Sequence, residues 1–308
     1  MVIPTRRREP RLAFALDALA RQTLPQERFE AIVVRDSDAR EPLAVAPEGL
    51  NARFLTQTRV TGPTAKRNRA WRSSKAPLIA FMDDDCRPAP DWLERVLEVA
   101  AGPELIVQGR TEPDPDELHL LFGLARSQTI RGPSDWYQCC NIAYPRELLE
   151  RVGGFDEAFE FGGEDTDLGL RAIKAGARVA YADRAVVWHA VLARPFPVAL
   201  AEAARWPSLP LVIARHPEQR RAIYMRHFWK RSHALLALAF AGAVLGRGRR
   251  TALALGAVPY LALNVRWRSQ TPRGALRQAA HLPVRIAVDA METAATVRAA
   301  AHHRVLVV

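Results

Sequence analysis

Cysteine is scarce in this chain of 308 residues, which contains only Cys86, Cys139 and Cys140. Three cysteines without a CxxC spacing exclude a disulfide framework and a cysteine zinc site. No apolar stretch near the start is long enough for a secretory signal peptide, and we expect the chain to begin within its first strand. These features favour a reducing, cytoplasmic environment.

Glycine-rich phosphate loops are also missing. The segment "PTRRREPR" after the first predicted strand contains no glycine, and no Walker A element occurs. Dinucleotide redox chemistry and P-loop hydrolysis therefore have no support in the sequence. The same lack argues against a sugar-nucleotide pyrophosphorylase, which needs a glycine-rich loop at this place.

An excess of positive charge is missing from the first two-thirds of the chain, although the net charge of the whole is +11. Residues 195–308 contain 17 Lys and Arg against 4 Asp and Glu, a net charge of +13, whereas residues 1–194 contain 27 against 29. This asymmetry predicts two domains, 1–194 and 195–308. We expect no nucleic-acid partner, because no element for reading a groove accompanies the charge.

The basic tail lacks an apolar run long enough for a membrane span. Its apolar blocks at 234–246 and 251–265 contain 13 and 15 residues, and a span needs about 18 or more. Basic and aromatic residues at 226–231 precede the blocks. We therefore predict an interfacial helical pair on an anionic membrane surface, and a peripheral or monotopic protein on the inner face of the cell membrane. A soluble helical subdomain is the alternative.

Strand-like and helix-like segments alternate in the first two-thirds of the chain. Strands are predicted at 2–4, 29–34, 52–56 and 77–82, and helices at 11–22, 62–74 and 91–101. Apolar strands between helices predict an α/β fold with a parallel sheet covered on both faces. Ligands of such sheets bind beyond the carboxyl ends of the strands.

Three adjacent carboxylates, Asp83, Asp84 and Asp85, follow the fourth predicted strand. A bound Mg²⁺ or Mn²⁺ would relieve their mutual repulsion, and such cations prefer oxygen ligands. The alternative is a turn whose acids cap the next helix. Asp91, in a predicted capping box with Glu94, already occupies that position. The triplet therefore favours a cation site.

A second acidic pair, Glu164 and Asp165, lies where a glycine-rich loop enters a helix predicted at 166–176. An ordinary helix cap is one interpretation. The other is a general base, which must come within about 3 Å of the proton it removes. Two acidic clusters about eighty residues apart favour the second interpretation.

These motifs together resemble the family 2 glycosyltransferases of the GT-A fold. The resemblance covers about residues 1–192 and rests on "VIPTRRR", "FEAIVVRDSD", "GPTAKRNRAW", "PLIAFMDDDCRPAPDWLE", "VGGFDEAFEFGGEDTDLGLR" and "VVWH". It implies a Rossmann-like, mostly parallel sheet between helices, followed by the basic helical tail. It also implies a nucleotide-diphosphate-sugar donor, a divalent cation (Mn²⁺ or Mg²⁺) and transfer with inversion.

The resemblance implies roles for single residues as well. The donor would contact Thr5, Asp36, Arg67, Asp83 and Asp84. The metal would be bound by Asp85 and Asp83, the ends of a DxD element, and by His189, for which a purely structural role is the alternative. Asp165 would be the base for the acceptor hydroxyl, and Glu164 would orient that base or touch the acceptor.

The chain departs from the family pattern after the second strand, where Arg35-Asp36-Ser37-Asp38 replaces the usual Asp-Asp/Asn-Gly-Ser turn. It also lacks a QxxRW element, since Leu263 stands where the Gln before Arg266-Trp267 would be. This favours transfer of one sugar over processive synthesis. The basic tail alone motivates the hypothesis that the acceptor is a cell-envelope glycan or a lipid-linked molecule. The alternatives are a haloacid-dehalogenase-like phosphatase, whose motif would place Arg87 where Thr or Val is usual, and a non-enzymatic basic adaptor.

Overall fold

The protein divides into two compact units in a computed structural model that describes residues 1–6, 8–36, 44–58, 61–159, 162–204, 208–245, 250–265 and 279–308. The sheet unit comprises Met1–Leu121 and Arg126–Leu192, and the helical unit comprises Phe122–Ala125 and Ala193–Val308. The predicted turn residues Ser37 and Asp38, Arg247 and Arg249 between the two apolar blocks, and Arg266-Trp267 lie outside the described residues.

The sheet unit is built on eight strands in the order β3-β2-β1-β4-β7-β6-β8-β5. The strands are β1 (Val2–Thr5), β2 (Ala31–Asp36), β3 (Ala52–Gln57), β4 (Leu78–Phe81), β5 (Cys86–Pro88), β6 (Leu105–Pro113), β7 (Ile142–Pro145) and β8 (Arg178–His189). Strands β3, β2, β1 and β4 are parallel to one another, as are β6 and β8. The mostly parallel α/β sheet is thereby confirmed.

Three strand pairs are antiparallel, which the sequence did not indicate. Strand β7 runs against both β4 and β6, and β5 runs against β8. Strand β5 is short and directly follows the acidic triplet. Its pairing aligns Cys86 with His189, so the reversal brings the end of β8 to the triplet.

The described residues of the sheet unit also form the helices α1 (Glu9–Ala20), α2 (Pro63–Ser73), α3 (Trp92–Val99), α4 (Arg146–Arg151) and α5 (Glu164–Lys174). Helices α1 to α4 pack on the strands. Every residue of β1 is buried, as expected for a strand covered on both faces. One core cluster joins Ile3 and Val33 of the sheet to Leu12 and Leu16 of α1 and Trp92 of α3. This core fixes the strand ends from which the site projects.

The predicted capping box at Asp91 and Glu94 is wrong. Asp91 stands at the N-cap of α3, but its side chain makes no cap hydrogen bond and instead accepts from Arg95 Nε at 2.8 Å. Glu94 accepts from Thr23 Oγ1 at 2.7 Å. Both carboxylates thus bind side-chain donors in preference to the helix terminus. The Asp91 cap therefore gives no argument for a cation at the triplet, and that prediction depends on the contacts of the triplet itself.

The helical unit contains α6 (Phe196–Ala204), α7 (Ser208–Arg215), α8 (Arg231–Leu245), α9 (Arg250–Val265) and α10 (Leu282–His303). Helix α8 packs along α9, and α10 packs on α6, α7 and α8. Within the described part of the chain, none of the helices combines the length and apolar character required to span a bilayer.

Candidate active site

The ends of two neighbouring parallel strands bring Thr5 to the acidic triplet. Strands β1 and β4 pair in parallel, so the residues that follow them lie at the same edge of the sheet. Thr5 Oγ1 donates to Asp84 Oδ2 at 2.7 Å, and both residues are buried. Burial, opposed by the neighbouring Arg8, raises the pKa of Asp84 to about 7. A positive charge at this edge would therefore stabilise the ionised form of Asp84.

Arg8 supplies positive charge to the triplet. Its Nη1 lies 2.6 Å from Asp85 Oδ2 and 3.2 Å from Asp84 Oδ1. Arg8 is not among the residues that the sequence motifs identify. Its position just beyond the end of β1 is the signal that could have identified it, since strand ends meet at the ligand edge.

His189 faces Asp85 with its Nε2 nitrogen. The ring Nδ1 lies 2.8 Å from the carbonyl oxygen of Ala190, which can only accept, so Nδ1 carries a proton. Nε2 lies 3.6 Å from Asp85 Oδ1. Histidines that bind metals commonly fix their tautomer by donating the other N–H to a carbonyl. A neutral His189 ring would therefore offer its Nε2 lone pair to a cation bound by Asp85.

The candidate metal ligands fit Mn²⁺ or Mg²⁺ in part, and they fit a metal that prefers sulfur ligands poorly. Ligand atoms of Asp85, Cys86 and His189 lie within 4.8 Å of one another. In the metal-free chain, burial raises the pKa of the Cys86 thiol well above its ordinary value, which makes the thiol the least favourable ligand of the three. Carboxylate and imidazole ligands remain, which suit Mn²⁺.

Arg67 joins the two acidic clusters that the sequence identified separately. Its Nη2 donates to Asp83 Oδ1 at 2.7 Å and its Nη1 to Glu164 Oε1 at 2.8 Å. The guanidinium is buried and lies 5.7 Å from the ring centroid of Phe155. Arg67 therefore fixes the distance between the strand end of β4 and the first turn of α5.

Asp165 lies in the first turn of α5, which begins two residues earlier than predicted. Its Oδ1 accepts from the backbone N–H of Thr166 at 2.8 Å. Burial and the neighbouring Glu164 raise the pKa of Asp165 to about 7. A carboxylate with this pKa can take a proton near neutral pH, as a general base must.

Asp36 belongs to a neighbouring part of the same edge, at the end of β2. Its Oδ2 lies 2.7 Å from Lys66 Nζ, and its Oδ1 accepts from the backbone N–H of Thr61 at 3.2 Å. Both side chains of the ion pair are buried. Lys66 was not predicted, although it directly precedes Arg67. Two consecutive basic side chains of helix α2 therefore bind different strand ends: Lys66 binds Asp36 of β2, and Arg67 binds Asp83 after β4.

The loop before α5 is held on α2 by Asn68. Asn68 Nδ2 donates to the carbonyl of Phe155 at 2.8 Å, and its Oδ1 accepts from the Phe155 N–H at 2.9 Å. Gly154, with φ +74°, lies so close that an added Cβ would be 2.7 Å from Asn68 Oδ1. The "VGGF" motif therefore positions Phe155 beside Arg67.

Two family profiles match this site-bearing part of the chain. The profile described as Glycosyl transferase family 2 matches residues 1–153, and the one described as N-terminal domain of galactosyltransferase matches residues 122–188. The chain belongs to glycosyltransferase family 2. This membership argues against the phosphatase alternative. Arg87, which would stand at the Thr or Val position of the phosphatase motif, instead forms an ion pair in which its Nη2 lies 2.7 Å from Asp114 Oδ1.

Curated relatives share this part of the chain. Validoxylamine A glucosyltransferase of Streptomyces hygroscopicus subsp. limoneus is 29% identical over 211 residues, which cover 56% of this chain and 47% of that protein. Glycosyltransferase AglE of Haloferax volcanii is 26% identical over 207 residues, covering 64% and 67%. The chain thus spans about half the length of the first of these relatives.

Among solved structures, a mannosyltransferase of Pyrobaculum calidifontis in complex with GDP-Man and Mn²⁺ has a similar fold. It aligns with a TM-score of 0.59 at 20% identity, over 97% of this chain and 85% of that one. This similarity confirms the predicted GT-A fold.

Proposed function

We propose that this glycosyltransferase transfers one sugar from a nucleotide-diphosphate sugar to an acceptor hydroxyl, with inversion and with the help of a divalent cation. The observation that carries the proposal is the cluster of buried contacts in which His189 faces Asp85 of the triplet and Arg67 links Asp83 to Glu164, next to Asp165. It brings a candidate cation site and a candidate proton acceptor together around one buried arginine.

The donor would bind at the carboxyl ends of β1, β2 and β4. Thr5 and Asp36 are proposed to contact the nucleoside, and Arg67, Asp83 and Asp84 the rest of the donor. Asp85, Asp83 and His189 would hold Mn²⁺ or Mg²⁺, which when bound offsets negative charge on the diphosphate leaving group. The GDP-Man and Mn²⁺ complex of the Pyrobaculum mannosyltransferase supports this donor class.

Asp165 is proposed to take the proton of the acceptor hydroxyl as the new glycosidic bond forms. Glu164 accepts from Arg67 through Oε1, which leaves its Oε2 buried and without a hydrogen-bond partner among the described residues. That oxygen is suited to contact the acceptor or to orient the base. A direct displacement needs no covalent intermediate, so the buried Cys139 and Cys140 need no chemical role.

The test is a panel of nucleotide sugars titrated into the full chain with Mn²⁺ or with EDTA. We expect one donor class to bind in a metal-dependent way, and Asp165→Asn to keep that affinity while transfer falls by about 10²–10⁴-fold. Asp85→Ala should weaken metal-dependent donor binding, whereas the surface control Asp91→Asn should not. Full turnover in excess EDTA, or normal transfer by Asp165→Asn, would contradict the proposal.

We further propose that the helical unit binds an anionic membrane surface on the cytoplasmic side, so that the acceptor would be a cell-envelope glycan or a lipid-linked sugar. Helices α8 and α9 expose large apolar side chains, including Phe240 at 71%, Leu238 at 52% and Val258 at 58%. Of the predicted basic anchors, Arg226 and Arg231 are exposed. Lys230 instead binds Glu292 at 2.5 Å within the unit.

A further inference from the structure

Arg8 holds Asp85, one of the proposed ligands of the divalent cation, together with the neighbouring Asp84. Its guanidinium contacts Asp84 and Asp85, whose side chains are only 7% and 4% exposed. A divalent cation binds carboxylate oxygens at about 2.1 Å, so on Asp85 it would lie close to the Arg8 Nη1 now 2.6 Å from that carboxylate. Two cations at that separation repel each other strongly in a buried site.

The Arg8 side chain is able to leave without disturbing the fold. It is 46% exposed, and its backbone is fixed because Leu12 N–H donates to the Arg8 carbonyl at 2.9 Å as α1 begins. Only the guanidinium would have to move. A guanidinium matches phosphate oxygens with paired donors, so a diphosphate at the same strand ends offers it a new partner.

We propose that Arg8 is a mobile counter-charge that couples metal binding to donor binding. In the ligand-free enzyme it neutralises Asp84 and Asp85. Asp85 would hold the cation with its other proposed ligands, and Arg8 would then be released to bind the diphosphate of the donor. The inference rests on the proposed function, and it assigns to Arg8 a donor-positioning role that the sequence motifs did not indicate.

A purely structural role for Arg8 makes the opposite prediction for the metal. If Arg8 only held the carboxylates in place, its removal would disorder them and weaken metal binding. If Arg8 competes with the cation, its removal frees the proposed ligand Asp85, removes a nearby positive charge and strengthens metal binding. The sign of the change in Mn²⁺ affinity therefore separates the two roles.

The experiment measures Mn²⁺ binding to the full chain without nucleotide, from the electron paramagnetic resonance signal of free Mn²⁺. For Arg8→Gln we expect the Kd for Mn²⁺ to fall about tenfold, and the affinity for UDP or GDP at saturating Mn²⁺, measured by calorimetry, to fall about tenfold, as for a lost hydrogen bond to a charged group. Arg8→Lys should give smaller changes of the same sign.

Arg11→Gln is the matched control, because it removes an arginine of the same helix that pairs with Glu117 rather than with the triplet. It should change neither affinity. Unchanged or weaker Mn²⁺ binding by Arg8→Gln, in a chain that still transfers sugar when unmodified, overturns the role of Arg8 alone. An unmodified chain that binds neither Mn²⁺ nor nucleotide diphosphates overturns the proposed function as well.

Discussion

At the scale of the residue, the site concentrates five carboxylates around two arginines. Arg8 contacts Asp84 and Asp85, while Arg67 contacts Asp83 and Glu164. Asp165 accepts a hydrogen bond from the backbone of Thr166, and its pKa is raised to about 7. Because a hydrogen bond from arginine stabilises a carboxylate as an anion, Asp165 is the member best suited to accept a proton.

The raised pKa of Asp165 predicts a pH dependence of catalysis. We expect kcat/KM to rise as the pH increases through about 7, because only the deprotonated carboxylate can accept the hydroxyl proton. The residual activity of Asp165→Asn should lack this rise. The measurement is kcat/KM from about pH 5.5 to about pH 8.5, which reports the free enzyme. If Asp165→Asn kept the same rise in activity with pH, the pH dependence would belong to a group other than Asp165.

The raised pKa of Asp165 also predicts how the stability of the chain depends on pH. A carboxyl whose pKa rises from 3.8 to about 7 on folding binds more protons in the native state between these values. Its contribution to the free energy of unfolding therefore falls as the pH rises from about 4 to 7. Asn keeps the acceptor for Thr166 N–H without the charge. Asp165→Asn should thus stabilise the metal-free chain by on the order of 1 kcal/mol at pH 8 and less at pH 5, measured by denaturant unfolding.

At the scale of the element, strand ends and apolar runs predicted much of the site. The run before Asp83 predicted β4, and the parallel arrangement predicted a ligand beyond the strand ends, where Asp36 and the triplet lie. The contact between Thr5 and Asp84 at this edge was not itself predicted. The reversed strand β7 was not predictable, because its four buried residues carry no mark of direction. The pairing of Arg8 with the triplet depends on tertiary geometry that local patterns do not contain.

Two glycines at the ends of α4 and α5 form a matched pair. Gly154 and Gly176 both have positive φ, +74° and +94°, but only at Gly154 would an added Cβ have neighbours within 4 Å, namely Asn68 and Trp71. Gly176→Ala should destabilise the chain by about 1–2 kcal/mol from backbone strain alone.

Gly154→Ala should cost more, about 3 kcal/mol or above, because overpacking adds to the strain. It should also lower transfer activity by displacing Phe155 from Arg67, while Gly176→Ala leaves activity unchanged. Denaturant unfolding and a transfer assay on both variants check this. Equal destabilisation by the two substitutions would show that the contact with Asn68 is not tight.

At the scale of the whole molecule, excess positive charge and exposed apolar surface occur in the helical unit. Co-sedimentation of the full chain with vesicles should be stronger with anionic than with neutral lipid, and it should weaken at high salt because charge attraction is screened. Phe240→Ser should reduce binding several-fold. Val297→Ser, on α10 and 46% exposed, is the control and should not. No sedimentation of the unmodified chain would contradict the membrane proposal.

Residues Phe122–Ala125 belong to the helical unit although the chain around them belongs to the sheet unit. There Arg285 Nη2 donates to the Gly123 carbonyl at 2.7 Å, and the ring of Phe122 lies 4.8 Å from that of His281. A fragment shortened at residue 192 would retain this tetrapeptide but lose both partners, and would expose Phe122 beyond its 40% in the full chain. A minimal catalytic fragment should therefore carry a short polar linker in place of Phe122–Ala125. Removing residues 193–308 alone would leave an exposed apolar segment that favours aggregation.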